Sequence, residues 1–173
     1  MDFVDCTLAA HGSQILAILN DAILTSTALY DYVPRPPEAM TPWFAAKAAG
    51  DFPVIGAIDA GGRLAGFASY GTFRAWPAYK YSVEHSIYIH RDRRRHGLGF
   101  ALMQRLIARA RAQEKHLLVG GIDVENAASI ALHERLGFSH AGTLRHAGFK
   151  FGRWLDLVFY QLVLDTPERP VDG

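Results

Sequence analysis

Cysteine is nearly missing from this chain: Cys6 is the one thiol in 173 residues. No intrachain disulfide can form, and no cysteine-rich metal cage can be assembled. An excess of charge is missing too, with 18 Lys and Arg against 17 Asp and Glu, a formal net charge of +1. Nucleic acid or a membrane surface as principal partner usually demands a clear basic excess, so neither is expected. No apolar run approaches the roughly 20 residues that span a bilayer, and the opening Met-Asp-Phe-Val-Asp lacks the basic-then-apolar pattern of a secretion signal. These absences point to the cytoplasm. Eight histidines invite a metal reading, yet no His-x-x-His or His-Glu-x-x-His spacing occurs, and no metal is expected. A Gly-Lys-Ser/Thr phosphate loop is absent as well.

Half of the residues are apolar, enough for one domain with a sizeable core. Residues 3–8 read as a short strand, and 12–24 as a helix with Ile15, Leu16, Ile18, Leu19, Ala22 and Ile23 at helical spacing. Residues 25–37 are polar and proline-bearing, a loop. Thr41 to Ala49 reads as a helix with Thr41 as N-cap and Pro42 at its first position. Residues 52–59 and 63–74 are strands joined by Ala60-Gly61-Gly62. An aromatic connection leads to a strand at 82–90. A helix at 98–113 and an apolar strand at 117–124 follow. Asn126 caps a helix ending at Gly137, and strands at 138–145 and 155–164 close the domain. The fold class is α/β: a single domain over residues 1–165, with a mixed central sheet of about seven strands flanked by helices. The polar tail, 166–173, is expected to fray.

The most informative stretch is Arg94-Arg95-His96-Gly97-Leu98-Gly99, between an apolar strand and an amphipathic helix. Two glycines two apart let the backbone approach a ligand closely. The helix's first turn leaves free N–H groups there, and its dipole favours an anion. A Rossmann turn would need a third glycine where Leu102 stands. It would also open the domain, whereas this turn follows two helices and four strands. Asp123 sits where a ribose-binding acid would, but the upstream strands form meanders rather than βαβ units.

The pattern Arg-x-x-Gly-x-Gly over 94–99, followed by Asn126-Ala-Ala-Ser129-Ile-Ala-Leu-His133-Glu-Arg-Leu-Gly137-Phe138, resembles the GNAT superfamily of acetyl-CoA-dependent N-acetyltransferases. Val83 to Ile89, Leu132-His133-Glu134 and Gly148 to Asp156 are similar to its phosphinothricin and methionine sulfoximine acetyltransferase branch, over about residues 20–164. The resemblance implies a mostly antiparallel sheet with a splayed strand pair holding acetyl-CoA. It also implies a small-molecule amine acceptor and a homodimer, with Leu157, Val158 and Phe159 as interface residues. The activity implied is acetylation of the α-amino group of a small amino acid or analogue, a detoxifying or resistance function.

Acetyl transfer to an amine needs a neutral amine, a stabilised oxyanion and a proton for the departing thiolate. The resemblance marks Glu84 as the general base, on one strand face with Ser82, Ser86 and Tyr88. It marks Ile87, Tyr88 and Ile89 as backbone partners of the pantetheine arm, and Arg94, Arg95, His96, Gly97, Leu98, Gly99 and Phe100 as the pyrophosphate grip. His133 stands where most members carry Tyr, either as the acid for the thiolate or as a ring beside the cofactor. Asn126 is a helix cap, a cofactor contact, or both; Ser129 is a cofactor contact or helix surface. His85 reads as a buried, hydrogen-bonded histidine. Cations should converge on a glutamate-like acceptor: Arg74 first, with Tyr30, Tyr79 and Lys150 or Arg153 around it. Trp43, Trp76 and Trp154 read as core or dimer contacts.

Other readings stay open: a GNAT acting on a protein N-terminus, a polyamine or an aminoglycoside, or an acyl-CoA-binding sensor without turnover. Segments 25–37 and 72–81 hold only Asp31 as an acid, which disfavours cationic acceptors.

Overall fold

The computed structural model describes residues 1–172. Its strands are β1 (Asp2–Asp5), β2 (Val54–Ile58), β3 (Leu64–Thr72), β4 (Ser82–Ile89), β5 (Leu117–Asp123), β6 (Ser139–Lys150) and β7 (Arg153–Val163). Its helices are α1 (Leu8–Thr25), α2 (Met40–Ala49), α3 (Leu98–Ala112) and α4 (Ala127–Arg135). The strands form one seven-stranded sheet in the order β1-β2-β3-β4-β5-β7-β6. β4 and β5 run parallel, while β1 with β2, β2 with β3, β5 with β7 and β6 with β7 are antiparallel. The expected α/β architecture is therefore present.

Contacts group the chain into two compact units, Met1–Tyr70 with Ser86–Leu106, and Gly71–His85 with Ile107–Gly173. In the first unit, α1 starts where the Thr7 hydroxyl accepts the Ala10 N–H at 3.3 Å. Its apolar stripe buries Ile15, Ile18 and Leu19 against Met40, Val54, Leu64 and Phe67. Each such side chain contributes about 1.5–3 kcal/mol when fully buried. α2 begins one residue earlier than Thr41, after a 3-10 turn at Pro37–Ala39, so Thr41 lies inside the helix rather than capping it. Trp43 packs edge-on to Phe44 and Phe67, as a core residue.

In the second unit, β5 pairs with β7 from Leu117↔Val163 to Asp123↔Leu157. β6 runs to Lys150, five residues beyond its expected end. Its register shifts between Leu144 and Gly148, where His146 takes φ +54° and its N–H reaches the Asp156 carboxylate at 2.8 Å. Phe151 and Gly152, both at positive φ, close this long hairpin, the geometry of a primed two-residue turn. Val158, expected at a subunit interface, is buried within its own chain. Trp154 and Trp76 are exposed, not core. Two residues of the tail expected to fray are hydrogen-bonded. The Thr166 hydroxyl donates to the Lys115 carbonyl, and the Tyr81 hydroxyl accepts the Val171 N–H at 3.1 Å.

Candidate active site

The anion-binding turn is built as its residues suggest. A 3-10 turn at Arg91–Arg93 leads to Arg95 at φ +66° and Gly97 at φ +72°, and α3 begins at Leu98. A Cβ on Gly97 would meet nothing within 4 Å, so the constraint there is backbone conformation rather than space. No acidic residue lies in α3's first turn, leaving its N–H groups and dipole uncompensated. Arginines stand at positions 91, 93, 94 and 95, and they divide their labour. Arg91 is paired with Asp21, and Arg93 with Asp59 at 2.6 Å. Asp59 also accepts the N–H groups of Gly61 at 2.9 Å and Arg63 at 3.0 Å. Arg94 donates to the Ile89 carbonyl at 3.4 Å, and Arg94, Arg95 and His96 are exposed.

Glu84 alternates with buried Val83 and His85, so it faces away from the core on β4. Flanking protein strips part of its water and raises its carboxyl above the usual value, while the Arg74 guanidinium opposes that shift. A Cβ on Gly121 would lie 3.4 Å from both Glu84 Oε1 and Leu157 Cδ1, and 3.6 Å from Phe159 Cε1. Leu157 and Phe159, expected at a subunit interface, thus share the surroundings of Gly121 with this carboxylate. Arg74 sits over the Phe73 ring, which packs edge-on to Tyr79.

On the opposite face of β4, His85 meets His133. Their rings stack at 5.0 Å between centroids, with the two Nε2 atoms 2.8 Å apart, and Phe138 packs against both. His133 Nδ1 lies 2.7 Å from the Ser129 carbonyl, which can only accept. Neutral His133 therefore carries its proton on Nδ1, and its Nε2 accepts from the Nε2–H of His85. Burial, then the neighbouring His133, push His85 down to about 3, against a hydrogen bond to Val119 that favours the charged form. Burial also lowers His133, opposed by the Ser129 carbonyl.

The acetyltransferase (GNAT) family profile matches residues 19–138. The chain belongs to the GNAT acetyltransferase family. An L-methionine sulfoximine/L-methionine sulfone acetyltransferase of Pseudomonas paraeruginosa is 48% identical over 87% of this chain and 88% of its own length. A GNAT phosphinothricin acetyltransferase of Sinorhizobium meliloti, solved with acetyl-CoA, superposes with a TM-score of 0.93. It is 32% identical over 99% of this chain and 94% of that one. A ribosomal-protein-alanine N-acetyltransferase of Brucella melitensis superposes with a TM-score of 0.92, at 39% identity over 95% and 100% of the two chains.

The residues of this GNAT chain fit a diphosphate-bearing co-substrate, since the α3 start offers N–H donors and no competing carboxylate. Asn126 is a helix cap, its Oδ1 accepting the Ser129 N–H at 3.1 Å. Ser129 is half-buried rather than free helix surface, and its carbonyl holds His133. Lys150 is buried at the end of β6, its ammonium over the Phe151 ring. Arg153 is paired with Glu125 at 2.8 Å. Tyr30 is 37% exposed in the loop after α1. Among the described residues, no group of three or more His, Cys, Asp or Glu is placed to hold a metal, and no helix is long and apolar enough to cross a membrane. Asp21, Asp59 and Gly120 drew no role from the sequence, and Leu157 and Phe159 were expected at a subunit interface. The one available signal was the Gly120-Gly121 pair inside a strand, a mark of close approach.

Proposed function

We propose that this GNAT enzyme acetylates the α-amino group of a small amino acid or analogue of the methionine sulfoximine or phosphinothricin type, with Glu84 as general base. The observation that carries the reading is the Glu84 carboxylate, raised by partial desolvation against the Arg74 charge and set near Gly121, which Leu157 and Phe159 also approach. A raised carboxyl is a better proton acceptor near neutral pH. The acceptor's α-ammonium gives its proton to Glu84, directly or through a water. Arg74 pairs with the acceptor's carboxylate, and the Phe73–Tyr79 pair walls that side. Acetyl-CoA, when bound, supplies an activated acetyl group as a thioester. Arg94, Arg95, His96, Gly97, Leu98, Gly99 and Phe100 would grip its pyrophosphate, and Asn126 and Ser129 are further candidate cofactor contacts. Backbone groups of Ile87, Tyr88 and Ile89 would hold its pantetheine arm.

His133 has both ring nitrogens engaged, so its role here is to hold the α4 turn and its partner ring; direct protonation of the thiolate would require it to release one of them. We further propose a cytoplasmic homodimer with a detoxifying or resistance function. The exposed Leu144, Phe149, Phe151 and Trp154 of the β6–β7 hairpin are better interface residues than those expected from sequence; sedimentation tests this. The Brucella neighbour favours one rival, transfer to a protein N-terminus. A thiol-release screen with acetyl-CoA against methionine sulfoximine, phosphinothricin, polyamines, aminoglycosides and alanine-initiated peptides separates the readings. Turnover confined to peptides would reject the small-amino-acid reading.

A further inference from the structure

We propose that His85 is a positioning residue for Glu84: its ring, bonded to His133 and seated on Gly120, is the wedge that ends the β4–β5 ladder and fixes the Glu84 carboxylate. The inference rests on the reading of Glu84 as base. The ladder runs Ser82↔Leu117, Val83↔Leu118 and Glu84↔Val119. One further step would set His85 opposite Gly120. There the imidazole takes the space: a Cβ on Gly120 would lie 2.9 Å from His85 Cε1, 3.0 Å from its Nε2 and 3.2 Å from His133 Nε2. Only glycine admits both rings at that contact.

The wedge cannot swing aside. His133 Nε2 holds His85 at 2.8 Å, the Ser129 carbonyl holds His133 at 2.7 Å, and Phe138 closes the third side at 5.1 Å between ring centroids. Consecutive residues of a strand face opposite ways. Gly120 therefore receives the histidine pair on one face, and Gly121 lies beside Glu84 Oε1 on the other. Because Glu84 and His85 are adjacent, the backbone orientation that seats the ring also aims the carboxylate.

The test uses the intact chain in two backgrounds. His85→Ala is expected to lower kcat by about ten-fold or more, since misplacing a reacting group by an ångström costs up to about 100-fold, with the KM for acetyl-CoA little changed. In a Glu84→Gln background the same substitution should add almost nothing. Carbon-13 titration of the Glu84 carboxyl, which needs no co-substrate, should move back toward the ordinary range in His85→Ala. His85→Gln, which restores a donor to His133, should recover part of both readouts. An equal loss of kcat in the two backgrounds, or an unmoved Glu84 titration, overturns the proposal. Should His85→Ala not fold by circular dichroism, Gly120→Ala, which displaces the same ring, decides by the same readouts. If Glu84→Gln alone keeps wild-type turnover, the base assignment falls, and the titration still decides the wedge.

Discussion

Acidification should destabilise this protein through one named pair, and His85→Gln should remove much of that sensitivity. The unfolded chain binds a proton at His85 near the ordinary histidine value of 6.5, whereas burial pushes the folded value down to about 3. Because the folded value is lowered, the contribution is fully present above about pH 6.5 and is lost as pH falls through the window down to about 3. About pH 5 lies roughly 1.5 units into that window. At about 1.4 kcal/mol per unit, His85 withdraws about 2 kcal/mol there relative to about pH 7.5. Glutamine carries no titrating proton and still offers an N–H to His133. Urea unfolding at both pH values provides the assay, read as midpoint and slope. Wild type should lose about 2 kcal/mol more than His85→Gln between the two conditions. Equal losses would refute the claim that a neutral, water-excluded imidazole is required at this position.

Other outcomes follow from the site. The acid limb of kcat/KM should lie above the ordinary carboxylate range, because Glu84 is raised and its active, deprotonated form is lost as pH falls through that raised value. Arg74→Gln removes the charge that opposes the shift, so the limb should move further up while the acceptor KM rises; an unmoved limb would separate Arg74 from Glu84. Asp59→Asn loosens the Arg93 tether ahead of the anion turn and should raise the KM for acetyl-CoA several-fold with the acceptor KM unchanged, measured by initial rates. Tyr81→Phe removes both hydrogen bonds to Val171. It should cost at most about 1 kcal/mol while speeding hydrogen exchange across the tail, and unchanged exchange would show that other contacts dock it.

Local chemistry was legible in the sequence. Gly97 and Gly99 at a strand-to-helix junction, Asn126 three residues before the N–H it caps, and Glu84 in a two-residue alternation each act over a few residues. They stand where the pattern placed them. Contacts distant along the chain were not legible. His85 and His133 are 48 residues apart, and the Gly120-Gly121 pair signals a close approach without saying which rings make it. The pairing of Arg91 and Arg93, just ahead of the anion-binding turn, was hidden because their partners, Asp21 and Asp59, belong to distant elements. The length of β6 was hidden by the backbone kink at His146, and the docked tail by a tyrosine 90 residues upstream. Leu157 and Phe159 carry an apolar pattern that suits an interface, and their placement around Gly121 depends on pairing with a strand more than 30 residues earlier.

Thiol release from acetyl-CoA, with methionine sulfoximine as acceptor and wild type compared with Glu84→Gln, tests the central claim most directly. The account predicts turnover by wild type and a loss of about 100-fold or more in kcat near neutral pH for Glu84→Gln, with coenzyme A binding intact by calorimetry. Equal turnover by the two proteins, or no release with any small amino acid analogue while a peptide N-terminus is acetylated, would contradict it.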